Sequence, residues 1–552
     1  MKPGFVVLAF GAVVVWLVWA GGAVKAGDSL MNLKLSGMMP DTADVIQARL
    51  SPDGQTAVFM ADVVTDNAFE LYSVPVDGSA EPTLLSSGLL PSGTMVEAFA
   101  IAPDGSRVVY VAAQDTTDVL ELYSVPMGGG TSVKLNPTIT AVNGGVLSCC
   151  FKISQDSSRV IFLTDWEFEN DFELFSVPID GGTPVRLNSD LPPNGAVVDF
   201  ELSQDGSRVV YLAYQDAFNI LELFAVPVAG GAKYQLNDTL VPGGNVYNFV
   251  ISPDSSQVVY VADQEMQGVW ELYVVPLADP TADAVKLNPP LVANGDVAYY
   301  QLEISPDSSM VAYLADQDVD GMNELYAVPL AGGTAVKLND PLAESIDLIN
   351  CSFFDCFHFS PDSSRVVYMT EQDTADIREL YSAHIVGTSS VVTKLNETIT
   401  TVGRHINSFE ISPDGSRVVY SGNVNPGVNE EIFSVPIEGG PVAKLNGALV
   451  AGGAVLSYAL SPDSSRVVYV AIQQTASVSE LYSVPLTDGP VTKLNPPLVD
   501  GGAVYLNFEI APDSNHVLYQ AEQETDNVAE LFVSFTEVPV ETHVIYLPVV
   551  IR

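Results

Sequence analysis

The chain has 552 residues, 47% of them hydrophobic, and its 68 acidic and 22 basic residues give a formal net charge of −46. This length exceeds one ordinary core, so several domains or one repeat array is expected. The acidic surplus excludes nucleic acid as a partner and argues against anionic membrane surfaces, because both are bound through Lys and Arg.

The first 26 residues have the pattern of a targeting segment. Lys2 precedes an uncharged apolar stretch over residues 4–24, and small residues stand at the −3 and −1 positions of a cut after Ala26. This pattern predicts a secretory signal peptide over residues 1–26. The apolar stretch is also long enough to span a bilayer, so an uncleaved anchor stays open as the alternative. Both alternatives place the protein outside the cytoplasm, in the periplasm, at the cell surface or in the medium, with no other membrane insertion.

One motif recurs ten times after this segment, at spacings of 49 to 55 residues. Its best-preserved form is the Ile-Ser-Pro-Asp-Gly-Ser-Arg-Val-Val-Tyr stretch at residues 411–420. The motif aspartates are Asp53, Asp104, Asp156, Asp205, Asp254, Asp307, Asp362, Asp414, Asp463 and Asp513. Such a period indicates a repeat architecture.

A single repeat predicts four short strands. In residues 404–449 an alternating segment leads into the Ser-Pro-Asp-Gly turn, and a strand rich in β-branched residues follows. After a polar loop come Glu-Ile-Phe-Ser-Val, a glycine turn and a strand ending in Lys-Leu-Asn. No helical period is present. Four short strands and glycine turns in about 50 residues predict one blade of a β-propeller.

The ends of the array predict how the ring closes. The last repeat has its third strand at Glu530-Leu531-Phe532, and no Lys-Leu-Asn segment follows it. A similar segment stands instead at residues 31–36, at the start of the mature chain. Pairing of these two segments would leave no open sheet edge. We therefore expect an all-β protein, with a single ten-bladed propeller over residues 27–534 and a C-terminal tail over residues 535–552.

The repeats resemble the TolB-like family of Pro-Asp-type, WD40-like propeller repeats. The resemblance rests on the Ser-Pro-Asp-Gly turn, the β-branched strand, the acidic loop, and the Gly-Gly turn before a basic-Leu strand, over about residues 31 to 534. It implies a propeller. It does not imply the role of TolB, whose N-terminal α/β domain has no counterpart here, nor that of prolyl oligopeptidases, whose hydrolase domain is also missing.

No catalytic motif stands out. The chain has no Gly-x-Ser-x-Gly, no Cys-x-x-Cys, no His-Glu-x-x-His and no phosphate-binding glycine loop. The glutamate of the third strand recurs in every repeat, which indicates repeat structure and not one active site. The leading hypothesis is an exported, non-enzymatic scaffold that binds a protein or another ligand. The alternatives are a glycan hydrolase or lyase that uses carboxylates near the axis, and a calcium-stabilised surface or adhesion protein.

The richest acidic loop is a candidate metal site. Asp316, Asp318 and Asp320 precede Gly321 in an Asp-x-Asp-x-Asp-Gly pattern, in which alternate oxygens can converge on Ca²⁺. An EF-hand would place glutamate at the twelfth loop position, where this chain has Ala327. The alternative is a solvated hairpin loop. Calcium is therefore the one cofactor that the sequence suggests.

Cysteine is sparse. Cys351 and Cys356 could close a small loop through a disulfide, with two buried thiols as the alternative. Cys149 and Cys150 are adjacent, and neighbouring strand residues point to opposite faces, so they are a poor pair for one partner.

Residues that break the repeat symmetry are the best candidates for a specific site. Scarce basic side chains gather around repeats seven and eight, at His358, His384, Arg404 and His405. In a chain of this charge they predict a contact with an anionic ligand or a partner on that sector. Drift at a tolerant surface is the alternative. The position two residues before the motif serine or alanine holds a charged side chain in several other repeats. These are Lys152, Glu201, Glu303, Glu410 and Glu509.

Overall fold

The computed structural model describes residues 32–86, 95–115, 119–139, 144–166, 171–279, 281–342, 356–374, 376–401, 403–424 and 429–536. The predicted signal peptide, and the predicted tail beyond residue 536, lie outside the described residues. Within these ranges all regular secondary structure is β-strand. None of the described segments is a helix long and apolar enough to cross a membrane.

The forty strands follow the ten repeats. Strand β1 spans Asn32–Lys34. Blades one to five consist of β2 Val45–Leu50, β3 Thr56–Ala61, β4 Glu70–Pro75, β5 Thr83–Leu84; β6 Val96–Ile101, β7 Arg107–Ala112, β8 Glu121–Pro126, β9 Val133–Lys134; β10 Val146–Ile153, β11 Arg159–Thr164, β12 Glu173–Pro178, β13 Val185–Arg186; β14 Val197–Leu202, β15 Arg208–Ala213, β16 Glu222–Pro227, β17 Tyr234–Gln235; and β18 Val246–Ile251, β19 Gln257–Ala262, β20 Glu271–Pro276, β21 Val285–Lys286. Blades six to ten consist of β22 Val297–Ile304, β23 Met310–Ala315, β24 Glu324–Pro329, β25 Val336–Lys337; β26 Phe357–Phe359, β27 Arg365–Thr370, β28 Glu379–Val386, β29 Ser389–Lys394; β30 Ile406–Ile411, β31 Arg417–Gly422, β32 Glu431–Pro436, β33 Ala443–Lys444; β34 Val455–Leu460, β35 Arg466–Ala471, β36 Glu480–Pro485, β37 Thr492–Lys493; and β38 Val504–Ile510, β39 His516–Ala521, β40 Glu530–Phe535.

Each blade is a four-stranded antiparallel meander, and the last blade is completed by the first strand of the chain. Nine sheets follow chain order, whereas the tenth has the order β1-β40-β39-β38. In that sheet Leu33 lies opposite Val533 and Lys34 lies opposite Phe532. The Leu35 amide extends the pairing by donating to the Leu531 carbonyl over 2.8 Å. The predicted ten-bladed propeller with N-terminal strand closure is confirmed.

The core of the protein is divided among the interfaces between blades. Ten buried hydrophobic clusters occur among the described residues, one at each of the ten interfaces. The cluster between the last and first blades joins Leu518 and Val533 to Phe59 and Val74. Since every interface is filled, including the one between the two ends, the blades form one ring. The β-branched second strands supply much of this core, as in Val108–Ala112, which is fully buried.

The third and fourth strands of a blade share a repeated polar network. In blade two the buried Glu121 carboxylate pairs with Lys134, and it accepts a 2.9 Å hydrogen bond from the Tyr123 hydroxyl. Equivalent pairs are Lys34–Glu530, Arg186–Glu173, Lys286–Glu271, Lys337–Glu324, Lys394–Glu379, Lys444–Glu431 and Lys493–Glu480. The recurring glutamate is therefore structural, as its repetition predicted.

The motif turn explains why its residues recur. The Asp414 carboxylate accepts hydrogen bonds from the Ser412 hydroxyl at 2.6 Å and from the Ser416 amide at 3.0 Å. These bonds hold the pKa of Asp414 below its ordinary value. The next residue needs a left-handed backbone, which Gly415 adopts at φ 70°. In blade nine Ser464 takes this position at φ 60°, and its hydroxyl accepts a 3.0 Å hydrogen bond from the Asp414 amide of blade eight.

This link between neighbouring turns can be tested at Ser464. We expect Ser464→Ala to lower the free energy of unfolding by about 0.5–1 kcal/mol, because it removes the acceptor of this exposed hydrogen bond and leaves the backbone strain unchanged. Ser464→Gly removes the same acceptor but relieves the strain, so its effect should be clearly smaller. Urea unfolding followed by circular dichroism compares the two variants, and an equal loss in both would contradict a role for the strained backbone.

Candidate functional site

Neighbouring first strands are joined by charged side chains. The residue two before the motif serine or alanine contacts its counterpart in the adjacent blade. Lys152 pairs with Glu201, and His358 Nδ1 lies 3.3 Å from Glu303 Oε2. Glu303 also accepts a 3.1 Å hydrogen bond from the Phe359 amide of the next blade. The symmetry-breaking charges are thus complementary between neighbours, and this complementarity can fix which blades pack together.

Glu410 has the least charge compensation in this series. The equivalent residue in the following blade is Ala459, and His358, on its other side, already pairs with Glu303. Glu410 is exposed to water within a concave wall of protein atoms. This surrounding protein raises the pKa of Glu410 to about 7, against the opposing effects of the Leu460 amide and His358. A carboxyl group with such a pKa can hold or release a proton near neutral pH.

A cavity of 810 Å³ opens beside Glu410, between the first strands of blades eight and nine. Its walls combine amide, hydroxyl, carboxylate and guanidinium groups with a few apolar side chains. The lining residues are Arg404, Asn407, Ser408, Phe409, Glu410, Ser421, Asn423, Asn429, Glu430, Ala454, Val455, Leu456, Ser457 and Tyr458. This mixture of donors and acceptors suits a ligand with many hydroxyl or amide groups.

Two residues distinguish this end of the interface from its counterpart between blades five and six. In blade five the equivalent positions carry Tyr247 and Trp270, whose ring centroids lie 5.3 Å apart. In blade eight these positions carry Asn407 and Glu430, and the Asn407 amide donates to the Glu430 carboxylate. Blade eight thus has two smaller polar side chains where blade five has two large aromatic ones. The sequence analysis did not single out Asn407 or Glu430, because their meaning depends on a contact between two strands.

Tyr458 is another residue of this site that the sequence analysis missed. It occupies the position three before the motif serine or alanine, where seven other blades have phenylalanine. Its hydroxyl lies 3.1 Å from the Ser408 hydroxyl, across the blade interface. Burial and the nearby Glu410 and Glu430 carboxylates keep the pKa of Tyr458 above its ordinary value, so it stays a neutral donor. A tyrosine at a phenylalanine position was the signal available in the sequence.

The structure separates the four basic residues predicted as a site. Arg404 lines the 810 Å³ cavity and donates a 2.6 Å hydrogen bond to the Asn423 carbonyl. His405 is next to it, with its amide bonded to the Asn423 side chain at 2.9 Å. His358 packs its ring 5.5 Å from Phe409, which lines the same cavity. His384 pairs with Arg365 beside the motif turn, at the opposite end of its blade, and lines a separate cavity of 370 Å³.

The three aspartates of the candidate calcium loop have separate partners. Asp316 accepts hydrogen bonds from the Asp296 amide and, at 2.8 Å, from the Gly321 amide. Asp318 pairs with Lys337 at 3.2 Å, and Asp320 accepts a hydrogen bond from the side chain of Asn294. Within the described ranges no three His, Cys, Asp or Glu side chains form a group that could hold a metal ion. The loop geometry matches that of a capped hairpin.

Calcium binding can be tested directly by thermal unfolding. A Ca²⁺ ion held by the native loop must raise the melting temperature by mass action. Because the three carboxylates have other partners, we expect millimolar Ca²⁺ to raise it no more than millimolar Mg²⁺ does. A rise specific to Ca²⁺, and lost in Asp318→Asn, would contradict this expectation and restore the calcium hypothesis.

Cys149 and Cys150 form a disulfide with each other. They lie in β10 where the register shifts between Val146 and Phe151. The expectation that adjacent strand residues point to opposite faces holds for a regular strand, and this bulged segment departs from it. Cys356 is buried, whereas Cys351 lies outside the described residues, so the Cys351–Cys356 bond stays a prediction.

Comparison with known proteins gives likeness at the level of structure alone. No protein-family model and no curated protein matches the chain. Among solved structures, Porphyromonas gingivalis dipeptidyl peptidase 4 is 11% identical with a TM-score of 0.48, covering 77% of this chain and 64% of that one. An oligogalacturonate lyase in complex with manganese is 17% identical with a TM-score of 0.34, covering 64% and 93%. A eukaryotic initiation factor is 12% identical with a TM-score of 0.44, covering 73% and 88%.

Proposed function

We propose that this protein is an exported, non-enzymatic propeller of the TolB-like, Pro-Asp repeat type, which binds a hydroxyl-rich ligand such as a glycan segment. The observation that carries the proposal is the 810 Å³ cavity at one interface of a nearly uniform ring. Its donors include Arg404, Asn429 and Tyr458, and its acceptors include Glu410 and Glu430. Sugar hydroxyls both donate and accept hydrogen bonds, so they can use both kinds of group.

Export is supported by the covalent chemistry of the chain. The Cys149–Cys150 disulfide, with Cys149 exposed, suits an oxidising compartment. The apolar segment before Ala26, as a signal peptide, would direct the chain across the membrane. Mass spectrometry of the secreted protein should find Gly27 at the N-terminus, whereas an intact Met1 in a membrane fraction would favour the uncleaved anchor.

The binding test uses a panel of neutral and acidic oligosaccharides and isothermal titration calorimetry. For an oligosaccharide that binds, Asn429→Ala and Arg404→Ala should each weaken binding about tenfold, the usual effect of losing one good hydrogen bond to a ligand. Asn507→Ala is the matched control, because Asn507 also lies on a first strand but lines another cavity, of 300 Å³. Equal weakening by the control, or no binding of any oligosaccharide, would overturn the proposal.

A second candidate function is a glycan hydrolase or lyase. The observation that favours it is the presence of two carboxyl groups, Glu410 and Glu430, in one cavity, where the surrounding protein raises the pKa of Glu410 to about 7. Acid–base catalysis on glycans needs one carboxyl group that carries a proton near neutral pH. Release of reducing ends from a bound oligosaccharide, abolished by Glu410→Gln with binding retained, would replace the scaffold proposal with this one.

A further inference from the structure

A cluster of aromatic side chains lies between blades five and six, at the interface position that is open between blades eight and nine. Trp270 packs its ring edge-on against Tyr299, with centroids 5.0 Å apart at an interplanar angle of 90°. Tyr247 contacts both rings, at 5.3 Å from Trp270 and 5.7 Å from Tyr299. Tyr300 adjoins Tyr299 at 6.1 Å. We call these four residues the aromatic cluster.

The cluster is open to solvent because the first strand of blade six is bulged. The pairing of β22 with β23 shifts register between Val297 and Leu302, and this segment contains both tyrosines. Tyr299 and Tyr300 are each 38% exposed, in a fold that buries the tyrosines of its second and third strands. An exposed set of contacting aromatic rings is unusual on a monomeric protein and marks an interaction surface.

Carboxylates surround the aromatic cluster and define its charge. The Tyr247 hydroxyl donates to Asp263 at 3.4 Å, and the Trp270 amide donates to Asp296 at 2.7 Å. Burial raises the pKa of Asp296, and repulsion from Asp316 and Asp263 adds to the rise. The electron-rich faces of the rings carry negative potential as well. The local charge and the chain's net charge of −46 therefore both attract a cation.

The indole of Trp270 adds a further indication. Its Nε1 atom is buried and has no hydrogen-bond partner among the described residues, although the residue as a whole is half-buried. An unsatisfied buried donor is unfavourable for folding. The indole N–H group of Trp270 therefore makes no hydrogen bond within the described part of the chain, and the aromatic ring is the part of the side chain that contributes to the cluster. Among the ten blades only this one has tryptophan immediately before the third strand.

We propose that the aromatic cluster binds an arginine or lysine side chain from an exposed segment of a partner protein. The cation would lie against the faces of Tyr299 and its neighbours, in the negative potential of the buried Asp263, which is held by the Asn245 and Gly268 amides, and of the partly exposed Asp296. Arginine is favoured over lysine, because its planar guanidinium also stacks on aromatic rings. This site is separate from the polar cavity between blades eight and nine, so it does not depend on the function proposed for that cavity.

The test measures the fluorescence anisotropy of a labelled octa-arginine peptide with the full chain at about 0.15 M salt, where screening weakens binding to distant surface charges. Tyr299→Ala and Tyr299→Leu should each weaken binding about tenfold, and Tyr299→Phe should stay within about twofold, because a cation–π contact needs the ring and not the hydroxyl. The leucine variant preserves apolar packing, so its result separates the loss of the ring from a loss of folding.

Tyr505→Ala is the matched control. Tyr505 lies on the first strand of blade ten, is 39% exposed and bonds to Glu522 at 2.9 Å, but it has no ring contact among the described residues. All these variants keep the net charge, so non-specific attraction of the peptide is the same in each. Equal affinity of the Tyr299 and Tyr505 alanine variants would overturn the proposal. Binding of a neutral oligosaccharide in place of the peptide, lost in Tyr299→Leu, would assign the cluster to glycans instead.

Discussion

Replacing Lys34 with methionine is expected to lower the free energy of unfolding by roughly 3 kcal/mol, because it leaves a buried carboxylate without its cation. Lys34 belongs to the strand that closes the ring, and its ammonium pairs with Glu530 and, at 3.2 Å, with Glu524. Glu530 is fully buried and also accepts a 2.8 Å hydrogen bond from the Glu524 amide, so it cannot turn toward water. The measurement is urea unfolding followed by circular dichroism.

Two further variants separate the charge from the closure. Adding Glu530→Gln to Lys34→Met should restore much of the lost stability, because the unpaired charge is gone. Lys444→Met breaks the equivalent pair with Glu431 inside blade eight and leaves the closure intact. Deletion of residues 32–36 should also produce dimers or larger species in size-exclusion chromatography, because it exposes the edge of β40. A monomeric deletion variant with an unchanged urea midpoint would contradict this account of ring closure.

Stability is expected to fall as pH rises through the range in which Glu410 ionises. The folded protein raises the pKa of this carboxyl group from 4.5 to about 7, chiefly because the surrounding protein wall reduces its solvation, so the native state binds the proton more tightly than the unfolded chain. Stability from this group is therefore fully present below pH 4.5 and is lost as the pH rises to about 7. Glu410→Gln cannot ionise, so its stability relative to the wild type should improve across this range.

The measurement compares the urea midpoints of the wild type and Glu410→Gln at pH values between 4 and 8, about one unit apart. The difference between the two proteins reports the effect of Glu410 alone, because the other carboxyl groups are the same in both. Glu438→Gln is the control for the loss of one negative charge, because the Glu438 side chain is 79% exposed and lines a different cavity from Glu410. A difference between wild type and Glu410→Gln that stays constant with pH, or equals that of the control, would contradict the raised pKa.

Most of the fold could be predicted because each blade repeats the same local chemistry. A meander of four strands is determined within each repeat by the Pro-Asp turn, the β-branched second strand and the Gly-Gly turn. It does not depend on contacts with distant parts of the chain. Closure could be predicted as well, because the missing segment after Phe532 and its spare copy before Ser36 are both visible in the sequence. The structure confirms this pairing.

The site was harder to predict, because it arises from contacts between repeats. Asn407 and Glu430 are 23 residues apart, and nothing in either position alone indicates that the two side chains meet at the wall of one cavity. Of the basic residues predicted as one site, Arg404 lines the polar cavity, whereas His384 lies at the other end of its blade. The scarcity of basic residues makes each of them an unusual position, but it does not show which end of a strand the residue occupies. The exposure of Tyr299 likewise depends on a bulge that the repeat pattern does not show.

The closure of the ring also sets a condition on how the protein is made. Strand β1 leaves the ribosome before any of the blades, and the partner of Lys34 follows 496 residues later. At usual rates of synthesis, of about 5–20 residues per second, the first strand waits roughly 25–100 s for its partner. During that time nine blades can form but the ring cannot close, and the edge strand stays available for pairing with other chains. Assembly of this propeller therefore depends on keeping strand β1 unpaired until blade ten has been synthesised.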